Sequence, residues 1–142
     1  VAEVRFWDTS ALVKVFDARE PDHRRARGLW SGPGSRRVRH ASSILVAVEA
    51  VRKFYRAVPE EVGTLIEALE TLDLIYLDDR VFPVALELAR RSRAGGTDTA
   101  IVATAVCIQR AAGEKVLLVT ADSSQAELAG SEGLGVALLG VR

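Results

Sequence analysis

The 142-residue chain is 49% hydrophobic and balances 19 basic against 19 acidic side chains. That length suits one domain spanning residues 1–142, large enough to bury well over half of its unfolded surface. Zero net charge excludes a blanket electrostatic grip on nucleic acid, so any such contact must come from local patches.

Three lysines accompany sixteen arginines, and arginine is the better fork for phosphate. Cys107 is the one cysteine, lies in the apolar run AIVATAVCI, and reads as a small buried thiol in a reducing cytoplasm. No basic-then-apolar leader opens the sequence, and no apolar stretch approaches the roughly 18 residues of a membrane span. The lack of methionine leads us to expect a processed or trimmed start before Val1.

In chain order, AEVRFWD (residues 2–8) alternates as a strand does before it meets an acid. SALVKVFDA predicts a short helix, and PDHRRARGLW a second one with Pro21 in its first turn. SGPGS is a turn. RRVRHAS is a short strand leading into SSILVAVEAVRKFYRA, a strong helix ended by Pro59. EEVGTLIEALETL places Val62, Leu65, Ile66, Leu69 and Leu72 at helical spacing. DLIYLD predicts a strand, and DRVFPVALELARRSRA a helix with Pro83 in its first turn. DTAIVATAVCIQRAAG predicts a helix closed by Gly113. KVLLVTAD is an all-apolar strand of the kind buried on both faces, and SSQAELAGSEG and LGVALLG are a last helix and strand. This alternation predicts an α/β fold, a twisted parallel sheet of about five short strands flanked by helices on both faces. In such folds ligands bind beyond the carboxyl ends of the strands.

Four acids fall at or near that edge. Asp8 ends the first strand, Asp122 ends KVLLVTAD, Asp98 opens the helix after the glycine pair, and Glu49 lies inside ILVAVEAV. The first three each have an ordinary reading as an N-cap, and Asp122 heads a capping-box spelling with Gln125. Glu49 sits among apolar neighbours, where an unpaired carboxylate is costly, so its ordinary reading is a pair with Arg52 or Lys53. Caps need not be acids, since Ser, Thr and Asn serve as well. A hard divalent cation such as Mg2+ or Mn2+ does need oxygen ligands of this kind.

The sequence resembles the PIN domains, and among them the stand-alone VapC-type toxins. WDTSALVKVF, SSILVAVEAVRKF, GTDTAIVATAV and LLVTADSSQAELA carry that resemblance, in order, over nearly the whole chain. The resemblance implies a PIN fold and a metal-dependent ribonuclease, the toxin of a type II toxin–antitoxin pair. It implies acidic, metal-binding roles for Asp8, Glu49, Asp98 and Asp122, and supporting hydroxyls at Thr9 or Ser10 and at Thr120. It also implies a small antitoxin partner and a homodimer. Where the family often has a basic then an aromatic residue after the last acid, this chain has Ser123 and Ser124.

On that reading Asp8 and Asp98 are the foremost ligands of Mg2+ or Mn2+. Glu49 or Asp122 positions or deprotonates the attacking water, or holds a second ion. Activity is expected to rise with pH and to fail with a chelator. For RNA contact the arginine clusters are Arg19, Arg24, Arg25 and Arg27; Arg36, Arg37 and Arg39; and Arg90, Arg91 and Arg93. The second, running to His40, is the most suggestive. Stacking aromatics are scarce: Phe6 and Trp7 read as core, Trp30 and Tyr55 stay open, and an aromatic platform is not favoured. His23 and His40 read as isolated surface histidines, without a partner spaced for zinc.

The alternative is a catalytically inactive PIN-fold binding module acting through protein or RNA partners, against which the presence of all four acids counts. A phosphatase would want a second acid at Ser10, and a receiver domain paired acids and a late lysine. No G-x-S-x-G elbow occurs, and AGG at 94–96 lacks the P-loop lysine.

Overall fold

A computed structural model describes residues 3–33 and 37–140. Five parallel strands form one sheet in the order β3-β2-β1-β4-β5, where β1 is Glu3–Trp7, β2 Val38–Ser43, β3 Asp73–Ile75, β4 Lys115–Thr120 and β5 Gly135–Leu138. Helices α1 (Thr9–Phe16) and α2 (His23–Ser31) link β1 to β2, and α3 (Ile44–Ala57) and α4 (Val62–Leu69) link β2 to β3. The chain then passes through α5 (Val81–Ala89) and α6 (Gly96–Ala112) to β4 on the far side of β1, and α7 (Ser123–Ser131) leads to β5. The connections leave β1 in opposite directions, so the switch point of the sheet lies between β1 and β4.

The core explains this arrangement. Phe6 and Trp7 are consecutive in β1, point to opposite faces, and are both fully buried, so both faces of the sheet are covered. Leu118 and Val119 repeat the pattern in β4. Leu12, Phe54, Leu65, Leu88 and Ile101 pack from the helices into the same cluster. The apolar run of α6 buries Ile101, Val102, Ala103, Ala105 and Val106 and ends at Gly113, whose φ of 63° is the left-handed conformation glycine tolerates best. No helix among the described residues is long and apolar enough to cross a membrane.

Four local expectations are corrected. Pro21 lies outside α2, which starts at His23 after Asp22 in the left-handed region (φ 63°). The Asp22 carboxylate accepts a hydrogen bond from the Gly140 N–H at 2.8 Å, tying this turn to the chain beyond β5. β3 stops at Ile75, and Tyr76 and Leu77 leave the sheet exposed because its edge has no further strand to hold them. Cys107 is only partly buried, with its thiol 3.6 Å from the Arg80 carbonyl. His40 is no isolated surface residue: its Nδ1 accepts from the Trp7 indole at 2.9 Å and its ring packs against Trp30.

Candidate active site

Parallel register sets Asp8 beside the end of β4. Trp7 pairs with Val119, so Asp8 and Thr120 leave their strands at the same level, and the Asp8 N–H still donates to the Val119 carbonyl at 3.0 Å. Asp8 is almost wholly buried. Its Oδ2 accepts from the Ser10 hydroxyl at 2.6 Å, the Thr120 hydroxyl at 3.0 Å and the Ser10 N–H at 3.3 Å. Asp8 therefore caps α1 and is also clamped from β4. All three bonds fall on Oδ2, leaving Oδ1 without a hydrogen bond among the described residues.

Ser10 and Thr120 do the clamping. The Ser10 hydroxyl accepts from the Ala121 N–H at 2.9 Å, and Thr120 Oγ1 accepts from the Asp122 N–H at 3.0 Å. Each hydroxyl joins the end of one central strand to the turn after the other. Of the two hydroxyls after Asp8, Ser10 is the one bonded to it. Thr9 Oγ1 is buried and lies near Glu49 without meeting hydrogen-bond geometry.

Asp122 caps α7 through Oδ1, which accepts from the Gln125 N–H at 3.0 Å. Only half of the capping box forms. Gln125 does not reach back to the Asp122 N–H, which Thr120 already occupies; its Oε1 lies 2.9 Å from the Thr120 hydroxyl instead. Gln125 is fully buried with its Nε2 unpartnered, and its amide eases the charge on Asp98. This contributor was visible in the sequence only as a capping residue.

Asp98 does not cap α6. The helix begins at Gly96, its N-cap Gly95 makes no side-chain bond, and Asp98 lies in the first turn. A carboxylate is favoured there by the helix dipole, yet burial and the charges of Asp8 and Asp122 push its pKa above the ordinary value. Burial likewise raises Glu49, reinforced by Asp8 and Asp98 and opposed by Lys53 and the Thr9 hydroxyl. Glu49 forms no ion pair with Arg52 or Lys53, and its buried Oε1 has no partner. The ordinary explanation of Glu49 as half of a helical ion pair thus fails. The charges of Asp8 and Asp98 thus act on Glu49, and those of Asp8 and Asp122 on Asp98.

Among the described residues no three His, Cys, Asp or Glu side chains form a group that could by itself hold a metal ion. An Mg2+ site does not require one, since the ion keeps several waters and takes one or two carboxylates. The donor set fits such an ion on two observations. Every candidate ligand is a hard oxygen, and Glu49 Oε1 is an orphaned buried acceptor that a cation would satisfy.

The expected basic patches fare less well. Arg19 pairs with Asp17, Arg25 with Asp22, and Arg91 with Glu87 and Glu132. Arg36 lies outside the described residues. Arg39 bonds Asp73 and Glu114, and β2 begins level with Glu3, at the sheet edge opposite Asp8. The cations that do stand beside an acid of the site are Arg52, Lys53 and Arg56, which line a cleft of about 170 Å3 with Glu49.

Comparison with known proteins agrees with this fold. The structure is similar to VapBC2 from Rickettsia felis bound to a promoter DNA fragment, at 14% identity and a TM-score of 0.69, covering 96% of this chain and 99% of that one. It is similar to VapC20 from Mycobacterium tuberculosis, a Sarcin-Ricin loop cleaving toxin, at 17% identity and a TM-score of 0.67, over 87% and 93% of the two chains. The DNA-bound VapBC from Salmonella typhimurium matches at 18% identity and a TM-score of 0.64, over 96% and 98%. No curated protein sequence matches. The PIN domain family profile matches residues 5–131, and the chain belongs to the PIN-domain family.

Proposed function

We propose that this protein is a metal-dependent endoribonuclease and the toxin of a type II toxin–antitoxin pair. One observation carries the reading. Asp8, Glu49, Asp98 and Asp122 come from four separate elements, the charges of Asp8 and Asp98 act on Glu49 and those of Asp8 and Asp122 on Asp98, and Glu49 Oε1 is buried without a hydrogen-bond partner. An ion pair with Arg52 or Lys53 would have consumed that oxygen.

Asp8 and Asp98 would hold Mg2+ or Mn2+, with Glu49 or Asp122 completing the site. Such an ion lowers the pKa of a water and offsets charge on the phosphate in the transition state. Ser10 and Thr120 fix the Asp8 carboxylate so that Oδ1 faces the site while Oδ2 stays bonded. Glu49 or Asp122 orients the attacking water and accepts its proton. The water oxygen bonds to phosphorus as one ester P–O bond breaks on the opposite side. Glu49 suits the proton-accepting role because its raised pKa brings it nearer neutrality.

Several of the similar structures are described as toxin–antitoxin complexes, which supports a small antitoxin as the partner here. An apolar groove of about 820 Å3 between α3 and α4, edged by the exposed Tyr55 and Ile66, gives such a partner or a second copy of the chain a surface to bury. Acting on RNA, the protein would work in the cytoplasm.

The test incubates wild type and Asp98→Asn with a mixed RNA pool in Mg2+, Mn2+ or EDTA. Discrete cuts that need metal and vanish in the variant are expected. A folded wild type that neither cuts RNA nor binds metal by calorimetry would refute the reading in favour of a catalytically inactive binding module.

A further inference from the structure

We propose that the exposed face of α3 bearing Arg52, Lys53 and Arg56 is the track along which the backbone of single-stranded RNA reaches the site, with Tyr55 as a base-stacking platform. The inference rests on the endoribonuclease reading and adds to it the path of the substrate.

Helical spacing puts Glu49, Arg52, Lys53 and Arg56 on one face, and they line one cleft. Two ordinary explanations of such a cation strip fail here. Glu49 at i−3 and i−4 is the natural helical partner of Arg52 and Lys53, yet no ion pair joins them. Nor does any other acid among the described residues pair with these three cations; Arg24, Arg27, Arg90 and Arg93 lack ion pairs as well, and what sets the α3 cations apart is the cleft they share with Glu49. The strip is therefore positive charge without an ion pair among the described residues, and at its inner end Lys53 favours the charge of Glu49. Its inner end is the buried, unpartnered Glu49 Oε1.

Arg52 and Arg56 stand one turn apart, about 6 Å along the axis, and reach outward as phosphate-binding forks do. Tyr55 is 73% exposed beside them and shares the lining of the α3–α4 groove with Arg52 and Arg56. A backbone-tracking cation groove with a stacking ring is the general solution for single-stranded nucleic acid. A duplex would need a broader basic surface than one helix offers. An acidic segment of a protein partner could also use the cations, and the experiment separates the two.

Binding of a short fluorescein-labelled single-stranded RNA is measured in EDTA across a salt series. The proteins are the wild type, Arg52→Gln/Lys53→Gln/Arg56→Gln, and a charge-matched control, Arg24→Gln/Arg27→Gln/Lys115→Gln. Each single-strand phosphate contact contributes about 0.7 to the slope of log affinity against log salt, so the α3 variant should lose about 2 from that slope. Its affinity at low salt should fall roughly tenfold or more, while the control keeps the wild-type slope. Tyr55→Ala should weaken binding without changing the slope. In Mn2+ the α3 variant should cleave with a raised KM.

RNA binding by the α3 variant equal to wild type, while the wild type cleaves RNA in Mn2+, would overturn the track, leave the nuclease intact and assign the strip to a protein partner. Equal losses in the α3 variant and the control would overturn it too, since net charge alone would then explain binding. A wild type that neither binds nor cleaves RNA would remove the nuclease reading and this inference together.

Discussion

Replacing Thr120 by valine tests whether the clamp on Asp8 matters. Thr120 is fully buried at the end of β4, and valine keeps its branched shape, so the change removes a hydroxyl rather than opening a large cavity. That hydroxyl donates to Asp8 Oδ2 at 3.0 Å and accepts from the Asp122 N–H at 3.0 Å. A hydrogen bond to a charged group contributes about 1.5–3 kcal/mol, and a buried N–H left unpaired costs about 1–3 kcal/mol. Asp8 keeps the Ser10 hydroxyl at 2.6 Å, which places the total near the lower end, about 2–3 kcal/mol. At roughly 3–4 °C per kcal/mol for a chain of this size, Tm should fall by about 6–12 °C. Mn2+ affinity should fall as well, by about tenfold or more, since removing a hydrogen-bonding support of a metal ligand has that order of effect. Thr120→Ser, which keeps the hydroxyl, should retain most of the metal affinity. Calorimetric Tm in EDTA and Mn2+ titration are the two readouts. A Tm change below about 2 °C together with wild-type metal affinity would show that Ser10 alone holds Asp8, and the clamp argument would fail.

The remaining predictions concern charge, protons and assembly. Asp98→Asn should abolish metal-dependent cleavage yet raise Tm in EDTA, because it removes one of a set of mutually repelling carboxylates; a lowered metal-free Tm would contradict that repulsion. Glu49 and Asp98 both have raised folded pKa values, so the native state binds more protons than the unfolded chain. Metal-free stability should therefore be greatest below the ordinary carboxylate range and decline as pH rises towards the raised values, while Mn2+ affinity climbs over the same window. Urea unfolding against pH in EDTA reads the slope, which Glu49→Gln should flatten. His40 has the opposite sign: burial holds its pKa below the ordinary 6.5, so its contribution is present above 6.5 and lost as pH falls through the lowered folded value. His40→Gln should remove that acid-side loss, and an unchanged slope would refute it. Sedimentation of the purified protein should give twice 15.3 kDa if the chain is a homodimer, and a single-chain mass would refute that expectation.

Much of this architecture was legible in the sequence because burial dictates it locally. EVRFW, KVLLVT and the long apolar run of α6 can satisfy their side chains only inside a covered sheet, so their type and order follow from composition and period. The acids at strand ends were legible for the same reason, since a carboxylate cannot continue a buried strand. Which oxygen of each acid is used was not. That Asp8 Oδ2 is consumed by Ser10 and Thr120 depends on the register between β1 and β4, which lie more than a hundred residues apart in the chain. Likewise the sequence could not tell that Asp98 fails to cap its helix, that the Gln125 side chain turns from Asp122 towards Thr120, or that Arg39 of β2 lies at the edge opposite Asp8. Glu49 and its cations read naturally as helical ion pairs until packing drew Glu49 towards Asp8 and Asp98 and left the cations without an ion pair among the described residues. The sequence by itself determined the strands, the helices and the identity of the four acids, because those follow from short-range pattern and burial. That Asp8 meets Thr120, and that Asp8 and Asp98 act on Glu49, was decided only by the parallel crossovers that bring distant strand ends to one edge.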